Sequence, residues 1–305
     1  VKIKQYQGGK ISEPGCYAGI PIELYHGDCT EGPGISSSGL RTIESKTPLH
    51  YWANSYLNPD RLPQEAREHF AFGQAAHTLL LSEAGFKEKF VVRPEQWKDW
   101  RKDAAKSWRD EQVAAGKTVL VPEDLKVIRH IAAQLAADPL VASGILSGAI
   151  EHSMIWKDAR TGVWLRARPD VIPSADGVLV DLKTTTDASP EAVQRSVLNF
   201  NYAMQGALAG LGMEATLGAK MTDFVLVWME KKPPYAVRVS PVDPEWTYWA
   251  QRQLRRAIDT FAKCIETCVW PGYEGEETIH MPQWLRTRFE DEDKHGLIPE
   301  METAA

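Results

Sequence analysis

Three side chains raise a question of chemistry before any other feature does. The stretch "RPDVIPSADGVLVDLKT", Arg168 to Thr184, sets Asp170, Asp181 and Lys183 in and around an apolar segment. A charge in a core strand is costly unless something pairs with it. Strand side chains alternate between faces, so Asp181 and Lys183 point to one side while Val180 and Leu182 point to the other. Asp170 ends the preceding strand, after the break at Pro169. Pairing of the two strands through the Pro173–Gly177 turn brings Asp170 close to Asp181. Neighbouring carboxylates repel unless a proton or a cation lies between them. A hard divalent cation such as Mg2+, with Mn2+ as an expected substitute, resolves that repulsion through oxygen ligands. The lysine then neutralises the carboxylates or orients a water beside a phosphate, a set suited to cleaving phosphodiesters. A structural salt bridge is the other reading of the same residues. In it Arg166 and Arg168, which alternate with apolar residues on one strand, pair with Asp170 or Asp181. Both arginines equally suit phosphate contact.

The elements that must hold these residues are legible from pattern. "AIEHSMIWKD", "VWLRARPDVI" and "GVLVDLKTT" read as three successive strands, with turn residues at Asp158–Gly162 and Pro173–Gly177, and predict an antiparallel meander. A helix follows, opened by Ser189–Pro190 as cap and first-turn pair. "DFVLVWMEK" and "YAVRVSP" predict two more strands joined at Pro233–Pro234, and a last helix spans about Pro244 to Cys268. Upstream, "GISSSGLRTIESKTPLHYW" gives serine caps before a helical pattern. Further helices are expected after Pro63, over "PEDLKVIRHIAAQLAADPLVASGIL", and, as an exposed helix or loop, over the tryptophan-rich Gln96–Gly116. Those tryptophans either stack on DNA bases or pack inward with the charges facing water, and the second is favoured. The order of helices, three strands, helix, two strands and helix predicts a mixed α/β fold, with a central mixed sheet flanked by helices and N-terminal helical additions. Residues 1–35 read as an irregular or short-stranded arm, 36–270 as one domain, and 271–305 as an irregular acidic tail.

Other residues join the candidate set in chain order. His77 lies on the upstream helix in "FGQAAHTLL", and Glu151 starts the strand before Asp170. Tyr202 and Gln205, in "NYAMQGAL", fall on one face of the helix after Lys183. A lone helix histidine is ordinarily core or surface, Glu151 can be a solvated strand end, and Tyr202 with Gln205 can be plain packing. Taken as an ordered series, however, a helix His, a strand Glu, "RPD", "DLK" and YxxQ resembles the RecB-like branch of the PD-(D/E)xK nuclease superfamily. "ISSSGLRTIESKTPLHYW" resembles the opening of the RecE (exonuclease VIII) type of exodeoxyribonuclease. The likeness covers about Ile35 to Cys268, making 36–270 a single restriction-endonuclease-like domain. It implies a Mg2+-dependent exonuclease, of phage or prophage kind, that degrades the 5′-ended strand of linear duplex DNA. The product is a 3′ overhang for a single-strand-annealing partner. By position the resemblance assigns Asp170 and Asp181 to the metal, with His77 a further ligand or close support, and Lys183 to the water. Glu151 would hold a second metal or orient the first, and Tyr202 and Gln205 would bind backbone or fix Lys183.

Composition sets the outer bounds. The chain has 305 residues, 43% hydrophobic and 25% charged, an ordinary globular balance. Its net charge of −6 argues against a protein coated in basic charge but not against a local basic groove. A ring-shaped homo-oligomer, acidic outside with a bore near Arg41, Lys46, Arg101 and Lys106, would reconcile the acidity with DNA. No GxxxxGK[ST] motif occurs, so no ATP is expected. No apolar run suggests a membrane span and no signal sequence opens the chain, so a cytoplasmic location is expected. Cys16, Cys29, Cys264 and Cys268 lack the tight spacing of a zinc or iron–sulfur site and read as ordinary thiols. A structure-specific or restriction-like endonuclease of the same fold, and a non-catalytic DNA-binding scaffold, remain the alternatives.

Overall fold

The first residues form short strands, and these are built into a sheet rather than left irregular. The computed structural model describes residues 3–62, 68–81, 83–173, 177–275 and 278–299, and its contacts divide the chain into two units, Val1–Gly272 and Tyr273–Ala305. In the first unit β1 (Lys4–Gln5), β2 (Gly15–Ala18), a short helix α1 (Ile22–His26) and β3 (Gly34–Ser36) come first. Cys16 and Ile35 on these strands are fully buried, which is why the segment is fixed. A helical stretch follows: α2 (Ser37–Ser45), α3 (Pro48–Trp52), α4 (Glu68–Leu81) and α5 (Glu83–Lys89). Pro63, expected to open α4, lies outside the described residues. Next come β4 (Phe90–Val92), α6 (Asp103–Ala114), β5 (Thr118–Leu120), α7 (Pro122–Ala137) and α8 (Pro139–Ala142). The strand-rich part holds β6 (Gly148–Ile150), β7 (Ser153–Lys157), β8 (Trp164–Ala167), β9 (Val171–Pro173) and β10 (Val178–Thr185). It is completed by α9 (Pro190–Asn199), α10 (Tyr202–Leu217), β11 (Asp223–Glu230), β12 (Val237–Pro241) and α11 (Pro244–Thr267). Local chemistry sets the helix starts: Thr47, Asp138, Ser189 and Asp243 each accept a hydrogen bond from a first-turn N–H and precede a proline.

The expected mixed α/β architecture is present, with two five-stranded sheets in the orders β1-β2-β7-β8-β3 and β12-β11-β10-β9-β6. The three-strand meander is not. β7 and β8 pair antiparallel in the first sheet, whereas β9 and β10 pair antiparallel in the second. The chain changes sheets across Arg168–Asp170, where Pro169 offers no N–H to continue a ladder. β10 pairs parallel with β11 along its whole length, so it lies inside its sheet. Both of its faces are covered. Val180 and Leu182 pack with Ile131 and Leu135 of α7, while Leu179 packs with Ala203, Met204 and Ala207 of α10. Each such side chain contributes about 1.5–3 kcal/mol of burial, which fixes the register of β10. Gly206 lets α10 seat on the sheet, since a Cβ there would come within 2.4 Å of the Phe224 ring.

The tryptophans of the charged segment turn inward on one another. Trp100 stacks on Trp108 at 6.5 Å, and Arg93 and Arg109 lie over the Trp100 ring. In the second unit the tail is not wholly irregular: α12 (Gln283–Lys294) forms there. It is supported by Arg288–Glu292 and Asp291–Lys294 pairs on its surface, spacings that favour a helix. Among the described residues no helix is long and apolar enough to cross a membrane.

Candidate active site

The strand register that the hydrophobic residues impose sets the two aspartates side by side. Val171 of β9 is paired with Val180 of β10, so Asp170 and Asp181 are next neighbours across the strands. The Leu182 backbone N–H donates to Asp170 Oδ2 at 2.7 Å, tying the end of one strand to the other. Residues 174–176 of the intervening turn lie outside the described residues. Asp181 is 3% exposed and would be an isolated charge in the core without its neighbours. Those neighbours are Lys183, two residues on along the same face, and Gln205 from α10. The Lys183 ammonium pairs with Asp181 Oδ2. Gln205 Nε2 donates to Asp181 Oδ1 at 2.6 Å, and its Oε1 accepts from Lys183 Nζ at 3.2 Å. One amide thus bridges acid and base. Tyr202, one turn earlier on α10, puts its ring 4.4 Å from Lys183 Nζ. On the other side His77 of α4 brings Nδ1 to 3.4 Å from Asp170 Oδ2.

The electrostatics divide the two carboxylates. Burial raises the pKa of both. For Asp170 the charge and hydrogen bond of His77, then Lys183 and the Leu182 N–H, outweigh burial and hold it below the ordinary value. For Asp181 burial and the charge of Asp170 outweigh Lys183, so its carboxyl is raised. Burial alone would lower His77, but the Asp170 carboxylate reverses this and raises it. A pair of titratable groups pushed apart in this way is a mark of functional sites.

Of these residues, Asp170, His77 and Gln205 line a cleft of about 760 Å³, while Asp181 and Lys183 are joined to it through Gln205. Its walls include Asp170, His77, Gln205, Glu151, Arg168, Arg41, and Ser36–Ser38 at the start of α2. Glu151 adopts a φ of 52° between β6 and β7, and its N–H donates to the Asp170 carbonyl. Its carboxylate lies 3.8 Å from Lys89 Nζ. It therefore shares the cleft but not the Asp181–Lys183–Gln205 network. Arg168 is anchored by Ser153 Oγ and the Ile20 carbonyl while facing the cleft. Arg166 stands apart. It is 2% exposed and donates to the carbonyls of Tyr25, Gly27 and Gly34. It pins the α1–β3 segment to β8 and is in no position to meet a phosphate. Among the described residues neither arginine pairs with Asp170 or Asp181, so the salt-bridge reading gave the wrong partner: Lys183 fills that role.

Sequence reasoning missed Lys89 and His26. His26 lines the cleft with its pKa pushed down to about 4 by burial and the nearby arginines. Arg41, expected near the bore of a ring, lies at this cleft. Its Nη1 donates to the Phe200 carbonyl at 2.6 Å, its Cζ lies 5.3 Å from the Tyr202 ring, and its Nε is buried without a hydrogen bond. The "SSSGLR" spacing, which puts Arg41 one turn into a helix behind serines, was the available signal. A second depression of about 670 Å³ at the start of α11 is lined by Asp243, Glu245, Trp246, Trp249, Arg252 and Arg256.

Among the described residues no three His, Cys, Asp or Glu side chains are gathered as a metal-holding group. Asp170 is turned to His77 and Leu182, and Asp181 to Lys183 and Gln205. The donor chemistry nonetheless suits a hard cation. Two carboxylates are crowded enough for one to raise the other's pKa, a repulsion that a cation between them would relieve.

Residues 36–280 match the family model of a PDDEXK-like domain of unknown function, DUF3799. The chain belongs to this family. The match takes in the elements from α2 to α11, and with them Asp170, Asp181 and Lys183. Among solved structures, a Eubacterium rectale protein described as a presumptive exonuclease superposes with a TM-score of 0.54 at 14% identity. The alignment covers 87% of this chain and 94% of that one, a likeness of fold. The structure of SSO0001 aligns with a TM-score of 0.26 at 13% identity, over 65% of this chain and 88% of that one, too slight an overlap to argue from. No curated protein matches the sequence. Family and fold together support a nuclease, a hydrolase of phosphodiester bonds.

Proposed function

We propose that this DUF3799 protein is an exodeoxyribonuclease that acts at the ends of linear double-stranded DNA with a divalent cation, Mg2+ or Mn2+, and without ATP. The observation that carries the reading is the bridged Asp181–Lys183–Gln205 cluster beside Asp170, with Gln205 and Asp170 lining a cleft that Arg41 and Arg168 also wall. Asp170 and Asp181 are the residues that would hold the cation, with His77 as a further ligand or its support and Glu151 available from the cleft wall. When bound, the cation supplies a Lewis acid to the phosphoryl oxygens and lowers the pKa of water. Gln205 and Tyr202 fix the lysine. An ammonium has three donors. Asp181 and Gln205 take two of them, leaving one for the attacking water or a phosphate oxygen. Arg41, which is part-exposed and lines the cleft, meets the DNA backbone, and Arg168 offers a second cation to the same strand.

Degradation of the 5′-ended strand, a 3′ overhang passed to an annealing protein, a RecE-type role and a ring-shaped homo-oligomer complete the proposal. They rest on the likeness of "ISSSGLRTIESKTPLHYW" and of the ordered site residues to that group. Duplexes labelled at either the 5′ or the 3′ ends test it. The 5′ label is expected to be released first as mononucleotide, and only with the cation. Early release of the 3′ label would overturn the polarity.

A further inference from the structure

The corner between α9 and α10 exposes two large apolar side chains beside the cleft. Leu198 is 65% and Phe200 58% exposed. Phe200 is not a loose side chain on a loose loop. Its N–H donates to the Ser196 carbonyl, and its own carbonyl accepts from Arg41 Nη1 at 2.6 Å. Asn201 takes the left-handed conformation at φ 53°, ψ 42°, a state asparagine tolerates better than most residues, and so turns the chain straight into α10. The Phe200 ring then lies 5.6 Å from the Tyr202 ring, centroid to centroid. Tyr202 in turn receives the Lys183 ammonium at 4.4 Å and the Arg41 guanidinium at 5.3 Å. An exposed aromatic ring is therefore held by backbone bonds, one ring contact from the cations that the proposed function assigns to water and phosphate.

We propose that Phe200 is a positioning residue that stacks on a nucleobase flanking the scissile phosphate and so sets which phosphodiester reaches Lys183. The inference rests on the nuclease reading. A nucleobase fits this place better than a second protein copy. Arg41 bonds to the Phe200 carbonyl and Lys183 lies against the neighbouring Tyr202 ring, so a base stacked on Phe200 brings its own phosphate to those cations. Stacking on an aromatic ring accepts any base, which suits an enzyme that processes ends without sequence preference.

The test compares wild type, Phe200→Ala and Phe200→Trp on duplexes with a normal or an abasic residue next to the cleaved bond. 2-Aminopurine at that position reports stacking in metal-free protein, where nothing is cut. Because the side chain is exposed, melting should be unchanged in both variants. Phe200→Ala is expected to lose about 5- to 160-fold in kcat/KM, the worth of one base stack, with Phe200→Trp restoring most of it. The abasic substrate should slow wild type by a similar factor but leave Phe200→Ala no slower than it already is, and wild type and Phe200→Trp, but not Phe200→Ala, should quench 2-aminopurine on binding. Equal rates for wild type and Phe200→Ala, or an abasic penalty of the same size in both, would overturn the proposal. Loss of self-association in Phe200→Ala with unchanged turnover per site would assign the ring to a protein contact instead. A wild type that cuts no DNA with any divalent cation would sink the nuclease reading, while the fluorescence arm would still decide whether the ring stacks on a base.

Discussion

The two aspartates of the cluster should have opposite effects on the stability of the metal-free protein. Asp170 is held below its ordinary pKa by His77, Lys183 and the Leu182 N–H, so its charged form stabilises the fold. Asp181 is raised by burial and by Asp170, so its charged form is a net burden despite Lys183. Asp170→Asn removes charge-assisted contacts worth about 1.5–3 kcal/mol, and a domain of this size loses about 2–4 °C in Tm per kcal/mol. A fall of roughly 3–12 °C follows from the two figures together. Asp181→Asn keeps the shape and the contact with Gln205 while removing the repelling charge. Each unit by which a pKa is raised corresponds to about 1.4 kcal/mol, so this variant should melt higher than wild type at pH 8. The pH dependence follows the same signs. The stability owed to Asp181 is present below its unfolded pKa and is lost as pH rises through the raised folded value, so the advantage of Asp181→Asn grows with pH. The stability owed to Asp170 is present above its unfolded pKa and is lost as pH falls through the depressed folded value. Thermal melting of both variants in chelator, from pH 5 to 8, is the assay. Two variants that fall together, or an Asp181→Asn advantage that shrinks as pH rises, would refute the assignment of the strain to Asp181.

Other expectations follow from single contacts. Gln205→Ala breaks the bridge between Asp181 and Lys183 and should lower kcat at least about tenfold with little change in KM, since the amide acts through the lysine; steady-state kinetics on linear duplex will tell. Cation affinity should rise with pH through the raised pKa of His77, with proton release on binding, as titration calorimetry in buffers of different ionisation enthalpy would register; pH-independent affinity would exclude His77 as a ligand. Arg41→Ala should weaken DNA binding and reduce the slope of log K against log salt by about 0.9, measured by anisotropy across salt concentrations. Arg166→Met should lower Tm by many degrees because three backbone carbonyls lose a buried donor, and the loss should appear as folded fraction rather than as an altered KM.

Much of the site could be read from spacing because it depends on local geometry. Two residues along a strand share a face, which gave Asp181 with Lys183, and one helical turn joins Tyr202 to Gln205. Asp170 was legible because a short turn leaves a strand few other places to return. What could not be read depends on contacts distant in sequence. Nothing local says that the chain changes sheets at Pro169, since β8 and β9 have similar patterns and differ only in which strands receive them. Arg166 and Arg168 look alike on one strand. Only the path of α1 and β3 overhead makes the first a buried clamp and leaves the second at the cleft. The N-terminal 35 residues read as an arm because their strands are short, yet their partners lie more than a hundred residues away in β7 and β8. Arg41 and Phe200 meet across a separation of 159 residues, beyond the reach of any periodicity.

The central claim is that the Asp170–Asp181–Lys183 cluster drives cation-dependent cleavage from DNA ends. It is tested most directly by giving wild type and Lys183→Ala the same two substrates with Mg2+, a linear duplex and its covalently closed circle. The account predicts that wild type degrades the linear duplex and spares the circle, and that Lys183→Ala, still folded, does neither. Cutting of the circle by wild type, or undiminished degradation by Lys183→Ala, would contradict it.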